Sequence, residues 1–210
     1  MDAFTQAPLE IAVLAAAAAA AAWFRPWSTL RQVSLRSPWL AALALLPWLW
    51  GLQRWVPGGL DLQLSGACLL VLAFGWPLAV LTLLPIAALG GWIAGASALH
   101  TLTAAAWNGI VPATLALAIG IAMRRWLPRH LFVYILGRGF LATAIAVAAA
   151  GSLQAVWQPL PPGVEIATLL TGRWLIAWSE AFMTGMLTAI FVAFRPEWLF
   201  TYSDRRYLPR

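Results

Sequence analysis

The sequence predicts an all-α integral membrane protein with about seven transmembrane helices in one bundle, forming a single domain over residues 1–210. Three observations carry this. Hydrophobic residues fill 62% of the positions and charged residues only 10%, too little charge to cover the surface of a soluble domain. The apolar residues fall into runs near the about 20 residues that cross a hydrocarbon core. Of the 13 basic residues, all arginine, ten gather in alternate connections between those runs or in the tail, as charge-set topology requires. Fourteen tryptophans fit the same class, since indole rings settle at the water–lipid boundary.

The first run, 9–24, "LEIAVLAAAAAAAAWF", is rich in alanine and suited to close helix approach. The preceding "MDAFTQAPLE" carries Asp2 and Glu10 instead of a basic segment, so the run is expected to stay as a helix and not to be cleaved. An arginine-bearing loop leads to a second helix over 38–55, ended by "RWVPGGLD" with Pro57, Gly58 and Gly59. From 61 to 123 the chain is almost continuously apolar and is divided by its own breakers. "FGWP" at 74–77 separates a short third helix, 61–74, from a fourth, 77–97, because Pro77 biases Trp76 away from helix. A break at 97–101 precedes the fifth helix, 102–124. The basic loop "RRWLPRH" leads to the sixth, 130–151, and the proline-rich "SLQAVWQPLPPGVE" to the seventh, 166–194. "RPEWLFTYSDRRYLPR" remains as a charged tail.

Seven spans place the N-terminus and residues 54–62, 97–102 and 152–165 on one side. Among arginines that side holds only Arg54, with Asp2, Glu10, Asp61 and Glu165. The other side holds Arg25, Arg31, Arg36, Arg124, Arg125, Arg129, Arg195, Arg205, Arg206 and Arg210. The asymmetry predicts an outside N-terminus and a cytoplasmic C-terminus in a multi-pass protein of a bacterial-type cytoplasmic (inner) membrane. Nucleic acid is excluded as a partner, because these arginines form short loops and leave no basic face to grip phosphates.

Three charges lie inside spans: Arg138, Arg173 and Glu180. A charge at the bilayer centre is costly, so they should face protein or an aqueous cavity. Arg138 lies roughly 12 Å from the cytoplasmic end of the sixth helix at 1.5 Å per residue, and Glu180 lies mid-way along the antiparallel seventh. Their depths differ by about one turn, which predicts a buried Arg138–Glu180 ion pair, either structural or part of a proton or cation relay. Arg173, two turns before Glu180, is expected to snorkel to the outer surface. "ALHTLTAAAWNGIVPA", 98–113, sets His100 and Asn108 in an apolar context. His100 reads as a helix-end histidine at the outer interface or a ligand, and Asn108 as an interhelical hydrogen-bonding group or a ligand. The lone Cys68 permits no internal disulfide. No phosphate loop, HExxH, CxxC or nucleophile–base spacing occurs, so the chain does not read as an enzyme.

"LHTLTAAAWNGIVPA" resembles a segment of CbiM/NikM-type proteins in which His and Leu-Thr precede Asn and Pro. "LSGACLLVLAFGWP" is similar to the family's glycine-containing helix ending in Phe-Gly and Pro. "WSEAFMTGMLTAIFV" is similar to its last Ser-Glu-Gly helix. Together the similarities run over about 61–195 in the family's order. The resemblance implies the substrate-binding membrane subunit of an energy-coupling factor cobalt/nickel ABC transporter, with Co²⁺ or Ni²⁺ as transported substrate and no resident cofactor. It implies a scaffold transmembrane subunit and cytoplasmic ATPase subunits as partners beside the lipid bilayer. The arginine-rich tail would meet those partners or anchor the last helix to anionic lipid.

In that family the metal is held by an N-terminal Met-His and by a His at the start of the short third helix. Here those positions are Asp2 and Gln63, so only His100 and Asn108 match. The implied site of Asp2, Gln63, His100 and Asn108, with His100 as the one imidazole, is harder than the family's and poorer in nitrogen. The alternative is a relative without a metal site, serving in assembly or regulation.

Overall fold

The computed structural model describes residues 3–52, 64–160 and 163–207, and among them all regular structure is helical. Each predicted apolar run contains a helix, with shifted ends in all but the last. α1 spans Ala3–Trp23, α2 Val33–Gly51, α3 Ala67–Phe74 and α4 Trp76–Ala94. α5, Ala98–Ala104, continues through a π-helical segment, Ala105–Ile110, into α6, Val111–Trp126. A second π-helical segment, Val133–Leu141, runs into α7, Ala142–Trp157. α8 covers Ile166–Phe194, the bounds expected from sequence, and a short α9, Asp204–Tyr207, follows.

Four of these stretches are long and apolar enough to cross a bilayer among the described residues: Trp76–Ala94, Ala98–Trp126, Val133–Trp157 and Ile166–Phe194. The apolar part of α1, Ala7–Trp23, is shorter, and α2 carries Pro38 and Pro47 within its 19 residues. Many large apolar side chains point outward, and Trp23, Trp92 and Trp126 stand exposed near helix ends. That is the surface of a multi-pass membrane protein with aromatic residues at its margins.

The ends differ from expectation for local reasons. The α3–α4 break falls on Gly75, whose φ of 78° is open to glycine, and Pro77 occupies the first turn of α4 where its missing N–H is harmless. The next break falls at Gly95, with φ 64°. Ser97 then caps α5 by accepting from the backbone N–H of His100 at 3.2 Å. His100 therefore sits in the first turn of a helix, not in a loop before one.

At the centre lies α3. Its eight residues extend about 12 Å, too short to cross the membrane, and seven of the eight are buried. In a medium without water its terminal N–H and C=O groups must be met by protein. The tail meets the C-terminal end: Phe200 N–H donates to the Ala73 carbonyl at 2.9 Å, and the Thr201 hydroxyl to the Leu72 carbonyl at 2.8 Å. The tail is thus not simply a charged extension. Leu199, Tyr202 and Tyr207 are buried with Tyr134 and Leu72 in a second core. Glycines set the helix crossings. A Cβ on Gly90 would lie 2.5 Å from the Trp50 Cβ, so α2 and α4 meet only over a bare backbone.

Candidate functional site

The chain enters α3 through Ser65 and Gly66, and Gly66 takes the left-handed conformation, φ 68°, that the turn into the helix requires. This exposes successive backbone N–H groups at the N-terminus of a helix lodged in apolar protein. Glu180, from the middle of α8, closes them. Its Oε2 accepts from Ser65 N–H at 2.7 Å, while Oε1 accepts from the Ser65 hydroxyl at 2.8 Å and from Gly66 N–H at 2.7 Å. The Ser65 oxygen in turn accepts from Ala67 N–H at 3.1 Å, and the Trp50 indole N–H donates to the Ser65 carbonyl at 3.0 Å. Glu180 is wholly buried. Its charge is met by three donors and the positive end of α3, as an N-cap side chain would meet it but from another helix.

The expected Arg138–Glu180 pair is therefore not formed. Both residues are buried, but Arg138 donates to the Tyr207 hydroxyl at 3.5 Å and lies over the Tyr134 ring, 5.4 Å from its centre. Matching depth along two helices sets height only; the unsatisfied N–H groups of α3 are what claim the carboxylate.

A second buried carboxylate organises the neighbouring helices. Glu10, expected among the outer-side charges at the start of the first span, lies in α1 and is 1% exposed. Its Oε2 accepts from the Thr103 hydroxyl at 2.7 Å, and its Oε1 from Trp107 Nε1 at 3.2 Å and Gln158 Nε2 at 3.1 Å. Gln154 extends the chain of bonds to Gln158 at 2.9 Å. Thr103 and Trp107 stand four residues apart, on one face of their helix. One carboxylate thus ties α1 to the α5–α6 rod and to the end of α7.

Between these two clusters lies a cavity of about 20 Å³, lined by Ser65, Trp107, Asn108, Arg173 and Glu180 among others. On this measure about 10–15 Å³ admits one water, so the space suits a single water-sized occupant. Trp107 links the clusters, with its indole N–H on Glu10 and its side chain on the cavity wall. Arg173, half-buried, also lines the cavity, and its methylene stem lies on Gly151, with a hypothetical Gly151 Cβ 3.2 Å from its Cβ and Cδ.

Of the four residues expected to form a site, the structure brings Asn108 to this cavity. His100 lies eight residues earlier on the same rod, roughly 12 Å along it, half-buried and outside the described lining. Asp2 and Gln63 lie outside the described residues. Among the described residues no three His, Cys, Asp or Glu side chains gather as metal ligands. What the described residues form is a frame: two fully bonded carboxylates holding the segments that directly follow Asp2 and Gln63 in the chain. Ser65, Glu10 and Gln158 escaped the sequence reading. The available signal was Glu10 itself, a carboxylate just before an alanine run with Thr and Trp at i, i+4 spacing elsewhere.

Compared with curated proteins and with solved structures, the chain has no match. The family model for CbiM, the cobalt uptake substrate-specific transmembrane region, matches residues 3–198, from the start of α1 to the short turn Pro196–Trp198 that follows α8. That interval holds both carboxylate clusters, the cavity and all four membrane-length helices. The chain belongs to the CbiM family and is a multi-pass membrane component of cobalt uptake.

Proposed function

We propose that this chain is the substrate-binding subunit of an energy-coupling factor transporter, importing a divalent transition metal ion of the cobalt/nickel type through the cytoplasmic membrane. The observation that carries the reading is the Glu180 clamp on Ser65 and Gly66 within a chain of the cobalt-uptake family. A buried carboxylate spent on fixing backbone has value where the adjoining segment must be held for ligand work, and Gln63 stands two residues before Ser65. Glu10 does the same for α1, whose first residue follows Asp2. Asp2, Gln63, His100 and Asn108 are the proposed cargo ligands. Carboxylate, two amides and one imidazole make an oxygen-rich set, which disfavours the square-planar geometry that nitrogen-rich sites give nickel and favours cobalt at higher coordination.

The N-terminus is proposed to face outside and all seven apolar helices to belong to the membrane unit, with the arginine-rich connections in the cytoplasm. The chain carries no phosphate-binding loop, so ATP hydrolysis and coupling fall to separate ATPase and scaffold subunits docking on that cytoplasmic side. The test is radiolabelled cobalt accumulation by cells expressing the chain with those subunits. Accumulation above that of cells lacking the chain, and lost in His100→Ala, supports the reading; accumulation indifferent to the chain overturns it. A second reading, a relative that has lost the metal and acts in assembly or regulation, is favoured by Asp2 and Gln63 standing where the family has imidazoles. It predicts a folded, complex-forming protein that neither binds nor moves cobalt.

A further inference from the structure

Where α6 ends and the next helix begins, a cavity of about 170 Å³ opens that the cargo site does not use. Among the described residues its polar lining is Arg124, Arg129, Arg138, Tyr134 and Tyr207; the other described lining residues are apolar and none is acidic. Arg138 is the buried member, 8% exposed, set on the π-helical segment Val133–Leu141. Gly120 of α6 makes room for it, since a Cβ there would stand 3.2 Å from Nε and 3.3 Å from Nη2.

The described residues do not complete this guanidinium. Nη1 reaches the Tyr207 hydroxyl only at 3.5 Å, and Nε, buried, has no hydrogen-bond partner among the described residues. Tyr134 offers its ring face, because its hydroxyl is engaged with Thr201 at 2.8 Å. Among the described residues no carboxylate lies in the lining to balance Arg138, and the exposed Arg124 and Arg129 add two like charges at the mouth. A buried cation without a counter-charge is expensive, and three guanidiniums around one space repel each other unless an anion joins them. Guanidinium forks match the oxygens of phosphate. The volume is roughly ten times that needed for one water, enough for a phosphate group and its first substituents.

The geometry points to a binding site for a phosphate-ester oxyanion here. Arg138 forms its floor, Arg124 and Arg129 its mouth, and the Tyr207 hydroxyl is an added donor. The exposed Trp126 at the end of α6 puts the mouth at the level of lipid headgroups, so the phosphate can come from an anionic phospholipid or from solution.

The test uses the purified full chain in an uncharged detergent, titrated separately with phosphatidylglycerol and with inorganic phosphate. Bound equivalents are counted by native mass spectrometry, and the unfolding temperature is followed in parallel. Saturable binding of about one phosphatidylglycerol per chain, weakened about tenfold or more in Arg138→Gln, supports the site with a lipid source. The same sensitivity seen with inorganic phosphate alone supports it with a soluble source. Arg124→Gln/Arg129→Gln changes only exposed side chains and keeps the test open if Arg138→Gln fails to fold; a similar weakening is expected. Binding of neither probe, or binding unchanged in both variants, overturns the proposal.

Discussion

Glu180→Gln separates the observed clamp from the ion pair that helix depth alone suggests. The carboxylate receives three bonds at 2.7–2.8 Å, from Ser65 N–H, the Ser65 hydroxyl and Gly66 N–H. Glutamine keeps one oxygen, able to accept two of them, and turns its NH₂ toward the third. The orphaned donor costs about 1–3 kcal/mol, and losing charge assistance on the other two costs about 1 kcal/mol each. The expected loss is therefore about 3–5 kcal/mol. Unfolding of the purified protein by denaturing detergent, followed by tryptophan fluorescence, measures it. Arg138 shares none of these partners, so Arg138→Gln and Glu180→Gln should be additive to within about 0.5 kcal/mol. Ser65→Ala and Glu180→Gln should be strongly non-additive. A Glu180→Gln loss below about 1 kcal/mol, or an Arg138–Glu180 coupling comparable to a buried ion pair's 3–5 kcal/mol, would refute the clamp.

Glu10→Gln should destabilise by a comparable few kcal/mol and expose α1 to limited proteolysis before the rest of the chain, since Glu10 is the bond between α1, Thr103, Trp107 and Gln158. Gly151→Leu should dislodge the Arg173 stem from the cavity wall, impairing cobalt uptake more than it lowers the unfolding temperature; equal, small effects on both would contradict that packing. Gly90→Leu should cost at least the 1–3 kcal/mol typical of an overpacked contact, because its side chain would collide with Trp50. Single cysteines placed at 129 and 159 test orientation with an impermeant maleimide, since the native Cys68 is buried. Only the cysteine at 159 should react from outside.

The helical class, the membrane setting and the order of helices were legible because hydropathy over some 20 residues is dictated by the solvent itself. The bounds of α8 agreed to the residue, since the Pro-rich connector and Arg195 mark both its ends. The depth of α3 was not legible. The sequence marks a short third helix over 61–74, but only tertiary packing shows that the ends of α3 are closed by Glu180 and by the tail. The same holds for Glu10, which a charge tally assigns to the outer surface because sequence position gives no information on the donors waiting at Thr103, Trp107 and Gln158. Polar residues in apolar runs could be singled out from sequence; their partners are set by long-range contacts.

Equilibrium dialysis of the purified full chain against Co²⁺, with bound metal counted by mass spectrometry, tests whether this frame serves cobalt. About one Co²⁺ per chain is expected, lost in Gln63→Ala and in His100→Ala while both variants remain folded. A folded parent protein that binds no Co²⁺, or binding unchanged in both variants, would contradict it.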